Sequence, residues 1–244
     1  MGRKPRFVAL FVFGAGLALA ARLGTRGASR TDADAWDPGA DTVTAYPNLL
    51  VGSKPTSSIA LAPGVAALTD QLAALHRFES EQVGKPPRPS RVYPVYSALV
   101  AKATRANVVS LLQHESPCVR LYMAVHVLRF FPEDSPAVYP LLSDRSRLEE
   151  LEGDTIALTD VADGTMGALD RTLSPTSPHI DLLIRIANDQ LLPKDVRAAA
   201  LTSLSRVRRA EAQALALSLV DDPNSILAES AARVVAQSRD SAAE

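Results

Sequence analysis

The stretch Leu111-Leu-Gln-His114-Glu-Ser116-Pro117-Cys118-Val119-Arg120-Leu-Tyr-Met-Ala124-Val-His126-Val-Leu128 holds a helix end, a polar turn and a helix start. Ser116 offers a capping hydroxyl, and Pro117 falls in a first turn where its missing N–H is no loss. Two further stretches repeat the order. One runs from Ala187 through Pro193, Val196, Arg197 and Ala200 to Leu204; the other runs from Leu219 through Asp221, Asp222, Pro223, Ile226 and Ala231 to Val234. Pro193 and Pro223 are 30 residues apart, and a weaker copy begins at Leu141-Leu-Ser-Asp-Arg145, 30 residues after Leu111. Fixed periods of this size indicate stacked helical pairs. Val119, Val196 and Ile226 are expected at the hinge of each pair. Ala124, Ala200 and Ala231 are expected where neighbouring helices approach closely, with each pair covering the apolar face of the next.

These residues resemble the HEAT-repeat family, whose repeat carries a turn with Asp and Pro, then Val-Arg, then Ala. Val119-Arg120 and Val196-Arg197 match the Val-Arg element, and Asp221, Asp222 and Pro223 match the turn. The third copy departs, with Leu227 following Ile226 where the family has Arg. The copy at 141–173 lacks both Pro and Val-Arg, and it runs about 18 residues long before the next copy. The resemblance covers roughly residues 91–239. It implies an all-α fold, an α-solenoid of stacked antiparallel helix pairs, and a curved surface for protein partners.

Composition points the same way. The chain of 244 residues has 39 Ala and 32 Leu against 12 aromatics, a balance that favours helix packed on helix. A net charge of −1 argues against a general nucleic-acid binder, and one Cys excludes a disulfide framework. Pro63-Gly64 opens a helix expected to run to about Val83, before Gly84-Lys-Pro-Pro-Arg-Pro-Ser90 breaks the chain. From Tyr93 the pattern resumes, with Val95, Leu99, Lys102, Ala106 and Val109 on one stripe. Ser116-Pro117, Ser135-Pro136 and Ser177-Pro178 mark three helix starts. No stretch shows sustained alternation with β-branched residues, so no sheet is expected.

Ahead of the helical domain, placed at 62–239, two segments differ in kind. Arg3, Lys4 and Arg6 precede an uncharged apolar run from Phe7 to Ala21, and Ala18-Leu19-Ala20 fits a cleavage site. Residues 1–21 therefore read as a signal peptide or membrane anchor. The run Phe7 to Leu23 has 17 residues, the short limit for a span, and Arg22, Arg26 and Arg30 oppose translocation behind it. Attachment to a membrane through residues 7–23 and cleavage after Ala20 both stay open. Loss of residues 1–20 removes three basic groups and moves the net charge from −1 to −4. Residues 22–61 read as a disordered linker rich in Gly, Ser, Thr, Asp and Pro. Its Asp32, Asp34, Asp37 and Asp41 do not have the spacing of a calcium loop.

Candidate chemistry is sparse. His114 and Cys118 are close in sequence, but the helix start at Ser116-Pro117 separates them and no second ligand pair completes a zinc site. Cys118 reads as a small buried hydrophobe. Gly153-Asp154 and Asp163-Gly164-Thr165 read as turns, and Glu149-Glu150 and Asp221-Asp222 as solvated or capping carboxylates. The sequence thus offers no catalytic, cofactor-binding or metal-binding residues. Arg206, Arg208 and Arg209 form the one local basic cluster, a candidate for an acidic protein partner. The leading expectation is an exported, non-enzymatic protein-interaction module on the periplasmic or extracellular side. The alternatives are an enzyme-accessory role, since some helical repeats of this type resemble bilin lyases or their accessory proteins, and a structural spacer in the envelope.

Overall fold

The computed structural model describes residues 60–240 apart from 85, 153–154 and 175–176. The signal or anchor at 1–21 and nearly all of the linker at 22–61 lie outside the described residues. Nine α-helices are described: α1 (Pro63–Ala74), α2 (Tyr93–Lys102), α3 (Arg105–Leu111), α4 (Pro117–Phe130), α5 (Val161–Arg171), α6 (Ile180–Asn188), α7 (Lys194–Val207), α8 (Arg209–Leu217) and α9 (Ser225–Asp240). A 3-10 segment covers Pro132–Ser143. The fold is therefore mostly helical, as expected. Helix α4 packs on α1, α3 and α5, while α7 packs on α5, α6, α8 and α9.

Strands are also present, which corrects the expectation of none. They are β1 (Arg77–Glu79), β2 (Gln82–Val83), β3 (Arg88–Pro89), β4 (Arg147–Glu152) and β5 (Thr155–Asp160). β1, β4 and β5 form one sheet in that order, with β1 parallel to β4 and β4 antiparallel to β5. β2 and β3 form a separate antiparallel pair. The first helix accordingly stops at Ala74 instead of continuing to Val83. His76 takes a positive φ of 49° directly before β1, a conformation that ends the helical path.

The β4–β5 hairpin also explains the overlong copy of the repeat. Its strands span 147–160, in the part of the chain where a helix pair was expected. Glu152 pairs with Thr155, which leaves two residues between the strands. Those two are Gly153 and Asp154, outside the described residues. Upstream, Pro136 and Pro140 lie inside the 3-10 segment. Pro136 could open a helix, but Pro140 would be its fifth residue and lacks the N–H that would donate to Pro136 O, so the α-helix expected from Ser135-Pro136 does not propagate.

Helix phase follows the first helical residue more closely than it follows the proline. Val119, Val196 and Leu227 are each the third residue of their helices, and all three are buried. Ile226, expected at that position, is 43% exposed. The reason lies in the turn: α7 starts one residue after Pro193, whereas α9 starts two after Pro223. Ala124, Ala200 and Ala231 are fully buried, as their small size implied.

The arginines after Val119 and Val196 close the preceding turn. Arg120 Nη1 donates to the carbonyls of His114 (2.6 Å) and Glu115 (2.7 Å), and its Nε donates to Asp144 at 2.7 Å. Arg197, 2% exposed, donates from Nε to Ala187 O at 3.1 Å. Each guanidinium thus serves carbonyls that would otherwise lack a partner near a helix end. Ion pairs continue along these turns, from Arg145 to Asp195 (2.6 Å) and from Lys194 to Asp222 (3.9 Å).

Other local expectations need correction. The stripe from Val95 to Val109 breaks into α2 and α3, because Thr104 accepts from Asn107 N and caps a new helix. Lys102 and Ala106 are consequently exposed. Asp163-Gly164-Thr165 is the first turn of α5, with Asp160 accepting from Asp163 N, and is not a loop. Gly164 faces Leu121 of α4 so closely that a Cβ there would lie 2.7 Å from both Leu121 methyls. Ser116 does precede α4, but its buried Oγ makes no capping bond. Ser177 instead accepts from His179 N, and α6 begins at Ile180.

Candidate interaction surface

Helices α2 and α4 bring a series of aromatic rings from the core to the surface. Phe78 of β1 lies 4.5 Å from Tyr122, measured between ring centroids, and Tyr122 stacks on Tyr96 at 4.8 Å. Tyr96 meets Tyr93 at 5.4 Å and His126 at 5.9 Å. His126 in turn contacts Phe130 at 4.7 Å and Phe131 at 5.3 Å. The spacing is helical: Tyr122, His126 and Phe130 recur every fourth residue of α4 and so share one face. Tyr122 is 2% exposed and Phe130 is 53% exposed, so the series passes from interior to solvent.

Polar atoms hold the rings in place. The Tyr122 hydroxyl donates to Glu79 O at 2.7 Å and accepts from Glu79 N at 2.9 Å, joining α4 to β1. The buried Glu79 carboxylate accepts from Ser90 Oγ at 2.6 Å and from Arg91 N at 3.2 Å. Tyr96 Oη lies 2.8 Å from His126 Nδ1. Burial raises both tyrosine hydroxyls well above their usual range, so both stay protonated. Burial, helped by Arg129, lowers the His126 pKa and favours the neutral ring.

Two guanidiniums border the exposed end. Arg129 lies over Phe130 at 5.2 Å, and Arg105 over Phe131 at 5.7 Å. Arg105 is held by Asp134 at 2.5 Å and Glu133 at 2.6 Å. Beside this patch, Leu128, Arg129, Thr172, Ser174, Ser177 and His179 line an open cavity of about 350 Å³. His179 Nε2 contacts Leu128 O at 2.9 Å, Nδ1 is buried without a partner, and burial lowers its pKa.

The residues singled out in the sequence do not assemble with this patch. Arg206 pairs with Asp170 and lies 3.5 Å from Ser203 Oγ, while Arg208 pairs with Glu211 at 3.2 Å. Arg209 opens α8, and its side chain lies outside the described residues. Cys118 is fully buried, donates to Arg77 O at 3.2 Å, and has its thiol pushed up to about 12 by burial. Among the described residues, no group of three or more His, Cys, Asp or Glu could hold a metal, and no helix is long and apolar enough to cross a membrane. The aromatic surface escaped the sequence reading, although the i, i+4, i+8 spacing of Tyr122, His126 and Phe130 was there to be read. Comparisons with protein-family models, curated proteins and solved structures return no match.

Proposed function

We propose that the chain is an exported or membrane-anchored, non-enzymatic protein-interaction module built on a HEAT-like stack of antiparallel helix pairs. The observation that carries this reading is the aromatic and arginine surface of exposed Phe130, half-buried Phe131, and the exposed Arg105 and Arg129. Aromatic residues and Arg are the side chains that most often dominate protein–protein binding energy. The rings behind Phe130 extend into the core, so this surface is ordered before a partner arrives. Pre-organisation of this kind lowers the entropy cost of association.

A photo-crosslinking residue at Phe130 in the producing cell tests the proposal. The expected result is one discrete protein adduct, lost on Arg129→Ala. The same crosslinker at Leu191, which is 92% exposed, serves as the control and should give none. Equal adducts from both positions, or none from Phe130, would overturn the reading.

A further inference from the structure

The outer edge of β5 is separate from the aromatic surface. β5 pairs with β4 through six consecutive register pairs from Arg147↔Asp160 to Glu152↔Thr155, and no other described strand pairs with it. Protein sheets usually blunt such an edge with lysine, proline, a bulge or a very short strand. β5 has none of these. Thr155-Ile-Ala-Leu-Thr159 is uncharged and free of Pro and Gly. Ile156 and Leu158 are 58% and 59% exposed. They are two residues apart on a strand and therefore share one face. Ile156 lies opposite the buried Leu151, and Leu158 lies opposite Glu149, which Arg77 holds.

The charges bordering this edge are unbalanced. At its C-terminal end, Asp160, Asp163 and Asp195 stand against Arg145 and Arg147, the latter in register with Asp160. Glu149 is taken by Arg77 at 2.7 Å. Arg145 serves three carboxylates together: Asp195 at 2.6 Å, Asp160 at 3.1 Å and Asp163 at 3.7 Å. Partial burial, then the neighbouring Asp160, raises the Asp163 pKa. A second copy of the chain would bring a second surplus of the same sign. A basic partner would neutralise this one.

We propose that β5 captures an extended segment of a partner protein, antiparallel to it, with apolar side chains at alternate positions over Ile156 and Leu158 and basic residues at its N-terminal end beside Asp160, Asp163 and Asp195. Main-chain hydrogen bonds supply a sequence-independent part of the affinity, and alternate side chains supply specificity. β5 ends at Asp160, so a strand added antiparallel to it begins there and meets the acidic cluster with its N-terminal residues.

A labelled peptide, Lys-Lys-Val-Thr-Val-Thr-Val, serves as the probe, with binding to the full chain read by fluorescence anisotropy. Saturable binding is expected. The probe with Glu-Glu in place of Lys-Lys should bind about ten-fold more weakly. The double variant Ile156→Thr with Leu158→Thr should lose about ten-fold in affinity for the basic probe. Asp163→Asn should lose about three-fold and show a shallower salt dependence. Hydrogen exchange on the unaltered chain gives a readout independent of variant folding: the probe should protect amides of residues 155–160. Absence of saturation at about 1 mM, equal binding of both probes, or protection elsewhere would overturn the proposal. So would self-association of the chain that the double variant abolishes, since a second copy would then occupy the edge. The aromatic surface contains none of these residues, so failure here leaves the Phe130 crosslink to be judged by itself.

Discussion

Replacing Gly164 with Ala sets two effects of opposite sign against each other. At an ordinary helical position the change stabilises by about 1 kcal/mol, because glycine loses more backbone freedom than alanine on folding. Here the new methyl would sit 2.7 Å from both Leu121 methyls and 3.3 Å from Leu121 Cγ. Rotating one methyl away brings the other closer, and Leu121, only 1% exposed, has no solvent to move into. Overpacking of this kind costs about 1–3 kcal/mol. The propensity gain offsets part of the steric cost, and a net loss of about 0–2 kcal/mol is expected. Urea unfolding of Gly164→Ala should show a lower midpoint with an unchanged slope. Leu121→Ala alone should cost about 2–5 kcal/mol through the cavity it leaves. The double variant places the new methyl into that cavity, so its loss should fall short of the sum by about 1–2 kcal/mol. A Gly164→Ala chain more stable than the unaltered one, or strictly additive losses, would refute the close approach of α4 and α5.

Three further outcomes are expected. Ala200→Arg should destabilise by about 2–4 kcal/mol, since fully buried Ala200 lies within α7, which packs on four other helices; an unchanged melting temperature would place it elsewhere. Burial lowers the pKa values of His114, His126 and His179. The unfolded chain then takes up more protons than the folded one as pH falls through about 6.5, so stability present above that pH is lost below it. The urea midpoint should be lower at pH 5.5 than at pH 7.5 by about the loss these three titrations supply, and a rise would contradict the assignment. Finally, a reporter active only after export, fused behind residue 60, should give signal that disappears when Leu17 and Leu19 are both changed to Arg. Each charge opposes insertion by about 2.5–3.5 kcal/mol. Cytoplasmic retention of the intact fusion would remove the export proposal.

The helical part of the fold was legible where side-chain size and turn chemistry agree. Val119, Val196, Ala124, Ala200 and Ala231 were placed inside from the repeat alone, and all are buried. The reading failed where phase was counted from proline. Pro117 is the first residue of α4, Pro193 precedes α7, and Pro223 lies two residues ahead of α9, so a fixed offset selects Ile226 instead of Leu227. The hairpin was missed because Arg147-Leu-Glu-Glu-Leu-Glu152 has leucines three apart, a helical spacing that tertiary pairing overrides. Gly153-Asp154 reads as a turn, but the β-prone residues after it are too few to show a sustained alternation. The aromatic series was illegible as a surface because Phe78 and Tyr93 reach it from separate parts of the chain. The Arg cluster was legible only as charge: nothing in its sequence reveals that Asp170 lies beside Arg206.

The pairing of β1 with β4 also orders events in time. Arg77 meets Glu149 across 72 residues, whereas α6 to α9 find one another across short turns. A ribosome adding about 5–20 residues per second needs about 4–14 s to cover that interval. During it, Phe78 and Glu79 have no strand to join, and α4, which supplies Tyr122, is completed only in its later part. The N-terminal portion of the domain therefore completes its sheet only when the hairpin emerges. A pause in synthesis just before Arg147 would lengthen the exposure of β1, and a factor that shields nascent apolar segments would have its greatest effect there.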